Sequence, residues 1–236
     1  MSNGCFYFKQ FVVHQERCAM KVGTDGTLLG AWADMLVEKG RVLDIGTGTG
    51  LIALMMAQRF PHCSVTAVDI DSAAVSQASA NVASSPFSNR IKVIQSDISS
   101  FEDVVGFDTI VTNPPYFCHS LQCPDKQRTL ARHSDSLTYA NLMTSSWRLL
   151  NHEGLFSLII PDNCKSAILS EASLVGFFLT KEIAIKTTKG KLPKRYLIEF
   201  RKHPVSQQLK EEFQLMDSVN LRSQWYQALT NDFYIK

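Results

Sequence analysis

Long apolar runs are missing from this 236-residue chain. No window approaches the ~18 uninterrupted apolar residues of a transmembrane helix, so none is expected. The opening residues, MSNGCFYFKQ, lack the basic flank and apolar core of a secretory leader, and a cytoplasmic protein is expected. Cysteine is sparse and scattered. The six, Cys5, Cys18, Cys63, Cys118, Cys123 and Cys164, include no CxxC pair. The nearest two, Cys118 and Cys123, lack the second pair that a zinc site needs, so no metal is expected. The thiols read as incidental in a reducing compartment. A net charge of +2 is too small to announce a polyanionic partner by itself. There is no internal repeat and no low-complexity linker.

What is present is ordinary globular material, 45% hydrophobic and 19% charged, which excludes a disordered chain. The length suits a single domain over 1–236, with an N-terminal segment 1–40, a core 41–203 and a C-terminal part 204–236. Through the core, β-rich runs alternate with helical stretches. RVLDI (Arg41–Ile45) reads as a buried strand, Leu51–Gln58 as an apolar helix, and SVTAVD (Ser64–Asp69) as the next strand. A helix is expected over Ser72–Ala83, strands over Ile91–Gln95 and Phe107–Thr112, a helix over Leu137–Leu150 and a strand over Gly154–Ile160. Such alternation predicts βαβ units and a mainly parallel sheet, with ligand bound at the carboxyl ends of its strands. Outside the core, FYFKQFVV reads as a strand, Thr24–Leu36 as a helix, and Gln207–Lys236 as an amphipathic helix with an aromatic tail.

The strand RVLDI runs into Gly46-Thr47-Gly48-Thr49-Gly50. Glycines there permit positive φ and let a ligand approach the backbone. Alone such a loop is a weak signal, because dinucleotide folds begin the same way. Here the sixth position is Leu51, not a small residue, and Asp44 stands two residues before the first glycine. A carboxylate there repels a pyrophosphate and suits a ligand carrying an ammonium and a sulfonium. Asp69, followed by Ile70, closes the second strand, where a carboxylate can accept from ribose hydroxyls; Asp97, followed by Ile98, could accept from an adenine amino group. Each aspartate alone could merely cap a helix. In this order, Asp44 to Gly50, Asp69 and Asp97 resemble the first three motifs of Rossmann-like methyltransferases, which implies S-adenosylmethionine as cofactor.

Directly after the fourth strand stands Asn113-Pro114-Pro115-Tyr116. An aromatic amino group is a poor nucleophile until it pyramidalises, which requires both N–H bonds to meet acceptors. The Asn113 side-chain oxygen and the Pro114 carbonyl can supply them, the two prolines stiffen the loop, and Tyr116 can stack on the target base. As a lone tetrapeptide it could also be a strand-exit turn. In this position it resembles the motif of amino-methyltransferases acting on nucleobases or on a glutamine amide.

A wider resemblance singles out one family. Phe8-Lys9-Gln10-Phe11, Met20 to Trp32, the NPPY segment, RTLARH (Arg128 to His133) and GKLPKR (Gly190 to Arg195) look like the bacterial tRNA(Val) adenine N6-methyltransferases. That resemblance spans nearly the whole chain. It implies an α/β class I fold, with a seven-stranded mainly parallel sheet and helices on both faces, and methylation of adenine 37 in valine tRNA. It also implies that the N-terminal segment covers the cofactor, making Lys21, Thr24 and Asp25 candidates to wall its methionine end; helix-start chemistry is the other reading of these three.

Between Lys186 and His203 a basic run faces a single acid, Glu199. Lys189, Lys191, Lys194 and Arg195, with Arg128 and Arg132, are the candidate RNA contacts, although a charge run can equally be a solvated face. Two other functions stay open. One is glutamine N5-methylation of a release factor, disfavoured by the short segment before Asp44; the other is a cofactor-binding RNA partner without turnover.

Overall fold

The computed structural model describes residues 4–18, 21–115, 138–218 and 220–235, so Tyr116, Arg128 and Arg132 lie outside the described residues. In chain order the elements begin with β1 (Cys5–Tyr7), β2 (Val12–His14), α1 (Thr24–Trp32), β3 (Arg41–Ile45) and α2 (Leu51–Arg59). They continue with β4 (Ser64–Asp69), α3 (Ser72–Ala83), β5 (Ile91–Gln95), β6 (Phe107–Thr112), α4 (Tyr139–Leu149) and β7 (Leu150–Pro161). After a single 3-10 turn come α5 (Lys165–Val175), β8 (Phe178–Thr188), β9 (Arg195–Arg201), β10 (Leu209–Ser218), β11 (Leu221–Arg222) and α6 (Gln224–Thr230).

Among the described residues nine strands form the main sheet, in the order β11-β10-β8-β9-β7-β6-β3-β4-β5. Strands β3 to β7 are mutually parallel, and β9 enters antiparallel between β7 and β8. The sheet is thus mainly parallel as the resemblance implies but not seven-stranded: seven strands lie between Arg41 and Arg201, and the C-terminal part adds two more. That part was expected to be helical from Gln207 to Lys236. Instead Leu209–Ser218 pairs in parallel with β8, from Leu209 opposite Lys181 to Met216 opposite Thr188. The ladder outweighs the helical preference of LKEEFQLM: with period two, Leu215 is buried against the core and Phe213 packs beside it. The helix is confined to α6, where Ser223 accepts from the Tyr226 backbone N–H at 3.1 Å and Trp225 stacks on Phe213 at 4.5 Å. The N-terminal run FYFKQFVV likewise folds as a hairpin, closed where Phe8 N–H donates to Phe11 O, and not as one strand.

The strands are apolar along their length because helices cover both faces. Alternate residues divide between two cores. Val42, Val111, Ile159 and Leu197 join the face covered by α1 and α2, with Leu28, Leu54 and Met55. Leu43, Ile110, Leu158 and Ile198 join the face covered by α4 and α5, with Leu142, Met143 and Ile168. From β3 the chain builds outward to β4 and β5 on one side and to β6 and β7 on the other. The sheet's switch point thus falls between β3 and β6, where a ligand crevice is expected. Among the described residues, no helix is long and apolar enough to cross a membrane.

Candidate active site

A cavity of about 470 Å³ opens at the carboxyl ends of β3, β4, β5 and β6. Its floor is the glycine turn. Gly46, Gly48 and Gly50 all have positive φ, of 69°, 55° and 82°, a backbone state that strains any L side chain. A Cβ on Gly46 or Gly48 would meet nothing within 4 Å, so these two present bare backbone to the cavity. Gly50 faces away from it, with Ala78 of α3 only 3.4 Å from where its Cβ would stand. The turn is held to β4 because both Gly46 N–H and Thr47 N–H donate to Val68 O.

The two strand-end acids do different work. Asp44 does not line the cavity. It is fully buried below the turn, where its Oδ2 accepts from Thr47 Oγ1 at 2.6 Å and from Ala53 N–H at 3.1 Å. Burial, above all, pushes its carboxyl up to about 7, against the two hydrogen bonds that favour the charged form. Asp69 does face the cavity. Its Oδ2 accepts from Gly48 N–H at 2.8 Å and its Oδ1 from Asp71 N–H at 3.0 Å. Burial raises this carboxyl too, opposed by those backbone donors. Asp97 lines the same wall with Ile98 and Ile70, and its Oδ1 accepts from the backbone and hydroxyl of Ser99 at 2.9 and 2.8 Å.

Thr47, Lys21, Thr24 and Asp25 also line the cavity, the last three from the segment entering α1. That segment is fastened by a residue without a motif. Asn81 of α3 donates through Nδ2 to His14 O and Thr49 O, both at 2.8 Å, and accepts His14 N–H at 2.9 Å. One buried amide therefore joins the N-terminal segment to the glycine turn. Gln15 adds a second tie, accepting Val22 N–H at 2.7 Å. No periodicity or spacing marks these two side chains; a polar residue on the buried side of α3 is the only hint at Asn81.

Asn113 and Pro115 line the cavity at the exit of β6, while Pro114 is not among its lining residues. The strand end is positioned by Thr112, whose hydroxyl donates to Ile45 O at 2.9 Å. The basic run divides. Lys189, Lys191 and Lys194 are exposed on the β8–β9 hairpin, at the same edge of the sheet as the cavity. Arg201 and Lys202 lie at the other end of β9, roughly 20 Å away at ~3.3 Å per residue. There Lys202 donates to Leu150 O at 2.5 Å. Lys186 is neutralised by Glu212 at 2.5 Å. Arg195 lines the cavity itself and pairs with Asp25 at 2.8 Å.

A bare glycine turn, a carboxylate at the end of the next strand and an Asn-Pro-Pro exit around one cavity define a class I methyltransferase fold and site. The family model for the methyltransferase small domain matches residues 24–189. A relative from Phocaeicola vulgatus, named tRNA1(Val) (adenine(37)-N6)-methyltransferase, is 50% identical over 235 residues, covering 100% of this chain and 99% of the relative. The chain belongs to the tRNA1(Val) (adenine(37)-N6)-methyltransferase family. Among solved structures, a predicted O-methyltransferase from Agrobacterium tumefaciens aligns with a TM-score of 0.69 at 18% identity, over 89% of this chain and 96% of that one. The glycopeptide N-methyltransferase MtfA, solved with S-adenosylmethionine, aligns at 0.56 and 15% identity, over 78% and 100%.

Proposed function

We propose that this chain transfers the methyl group of S-adenosylmethionine to N6 of adenine 37 in valine tRNA, in the cytoplasm. The observation that carries the reading is one cavity lined by both Asp69, suited to accept from ribose hydroxyls, and Asn113, suited to accept from a target amino group. The full-length relationship to a tRNA adenine N6-methyltransferase supports the substrate.

The residues present suit such a donor. Gly46 and Gly48 leave room for close approach, Asp69 suits the ribose hydroxyls, and Asp97 with Ile98 and Ile70 suits the adenine. Carboxylates around the cavity suit a cationic ligand. When bound, S-adenosylmethionine supplies a methyl carbon activated by its sulfonium. The protein's part is orientation. The Asn113 side-chain oxygen and the Pro114 carbonyl accept the two amino N–H bonds, so the nitrogen lone pair turns toward the methyl carbon. The two prolines restrict the loop's φ angles, so little ordering remains to be done when the base arrives. Tyr116, the stacking partner in this reading, lies outside the described residues, as do Arg128 and Arg132. The exposed lysines of the β8–β9 hairpin contact phosphates beside the site. An anticodon-loop base is already partly unpaired, so flipping it into the cavity costs less than opening a duplex.

The test is to incubate the protein with S-adenosylmethionine, unmodified tRNA and a release factor in parallel, then digest and weigh the products. Methylated adenine at position 37 is expected. A methylated glutamine with untouched tRNA would replace the substrate, and no methylation of either would overturn the enzymatic reading.

A further inference from the structure

Arg195 opens β9 at the rim of the cavity and reaches across it to α1, where its Nε stands 2.8 Å from Asp25 Oδ1. Both side chains are about three-quarters buried, at 25% and 23% exposure, and both line the cavity. The exposed lysines before it behave differently: they project from a hairpin whose Leu192 is 84% exposed. The ion pair with Asp25 engages one nitrogen of the guanidinium, its Nε.

Charge around the cavity is uneven. Among the described residues four carboxylates line it, Asp25, Asp69, Asp71 and Asp97, against two cations, Lys21 and Arg195. An unpaired guanidinium at this rim would draw RNA phosphate into the methyl-donor cavity. Paired with a carboxylate, the same group presents a plus and a minus side by side. That is the mirror image of an α-amino acid, whose carboxylate and ammonium are separated by one carbon. We propose that Arg195 and Asp25 form one subsite for the amino-acid end of the methyl donor, the guanidinium receiving its α-carboxylate and the Asp25 carboxylate its α-ammonium. The inference rests on the reading of the cavity as a methyl-donor site, and it moves Arg195 from the RNA surface to the cofactor. Charge-assisted hydrogen bonds to the two ligand charges would give the subsite its strength, and the planar fork of arginine suits a carboxylate. The nucleoside end is read separately by Asp69 and Asp97, so the two ends of the ligand can be tested apart.

The experiment is titration calorimetry of the full chain with two ligands. S-adenosylhomocysteine carries the amino-acid end; 5′-methylthioadenosine keeps the nucleoside and sulfur but lacks both charges. Arg195→Gln and Asp25→Asn should each weaken S-adenosylhomocysteine by roughly ten- to a hundredfold, the range expected for hydrogen bonds to charged groups. Their affinity for 5′-methylthioadenosine should stay within about twofold of the unaltered protein, because the nucleoside contacts are untouched. Arg195→Lys, which keeps the charge, should lose less than Arg195→Gln, and thermal midpoints report whether each variant is folded. Equal weakening of both ligands would make the pair a structural latch and overturn the proposal, as would no weakening of either. Failure of the unaltered protein to bind S-adenosylhomocysteine would instead remove the methyl-donor reading on which it stands.

Discussion

Asp44 and Thr47 are joined by a 2.6 Å hydrogen bond beneath the glycine turn, and the same Asp44 oxygen takes the Ala53 N–H at 3.1 Å. One buried carboxylate thereby links the end of β3, the turn and the first turn of α2. Its opposite oxygen, Oδ1, is buried with no hydrogen-bond partner among the described residues, which is the arrangement that makes the charged form expensive. The site floor is therefore sensitive to pH.

The sign follows from the direction of the shift. Burial raises the Asp44 carboxyl in the folded protein from 3.8 to about 7, so the unfolded chain gives up this proton first. The stability that neutral Asp44 confers is full below 3.8 and is lost as pH rises through about 7. Asp44→Asn cannot ionise. In urea unfolding at pH 5 and pH 8, the variant should gain on the unaltered protein by roughly 2–3 kcal/mol over that interval. Asp69, shifted the same way, is present in both proteins, and its negative charge is a minor contributor to the Asp44 shift. A difference independent of pH would show that Asp44 is not titrating in this window.

Asn81→Ala should lower stability by about 2–4 kcal/mol, because three backbone groups, one buried and two partly buried, lose their partner together. It should also weaken S-adenosylhomocysteine, since the segment carrying Lys21, Thr24 and Asp25 is held to the glycine turn through this amide. Unfolding and calorimetry on the same variant separate the two effects. Lost stability with unchanged affinity would detach the N-terminal segment from the cofactor.

Asn113→Ala should leave S-adenosylmethionine affinity nearly unchanged while turnover on tRNA falls on the order of a hundredfold, as for loss of one preorganised polar partner. Its contact gains most as the amine pyramidalises, so kcat bears the loss. Near-normal turnover at saturating tRNA would clear Asn113 of this role.

Lys189→Gln, Lys191→Gln and Lys194→Gln combined should weaken tRNA and flatten its salt dependence. Each lost phosphate contact should reduce the log–log slope by roughly 0.7–0.9. Arg195 is left in place because it faces the cavity. Persistence of both affinity and slope would mark the hairpin as solvated surface.

The motifs legible in the chain are those in which one short segment carries a whole physical requirement. A glycine turn, an acid closing a strand and a rigid Asn-Pro-Pro exit depend on their immediate neighbours, and strands β3 to β7 were readable because burial on both faces makes them apolar throughout. The C-terminal part was not legible in this way. Leu209–Ser218 contains residues that favour a helix, and only the open edge of β8 converts it into a strand. The N-terminal run of aromatics looked like one strand for a similar reason: its turn at Lys9 and Gln10 is held by distant partners, with Lys9 N–H donating to Phe233 O at 2.8 Å.

By itself, the sequence determined the order of the βαβ units and which residues stand at strand ends, because hydrophobic period and backbone stereochemistry are local properties. Tertiary structure alone decided how those positions are used. It set Asp44 below the cavity and Asp69 in its wall, although both are aspartates at or near the end of a neighbouring parallel strand. It split one continuous basic run by laying it along a strand, so that Lys189 and Lys202 face opposite ends of the sheet. And it brought Arg195 to Asp25 across 170 residues of chain. Long-range contact is set by where strands pair, and a charge has no partner until the sheet has formed.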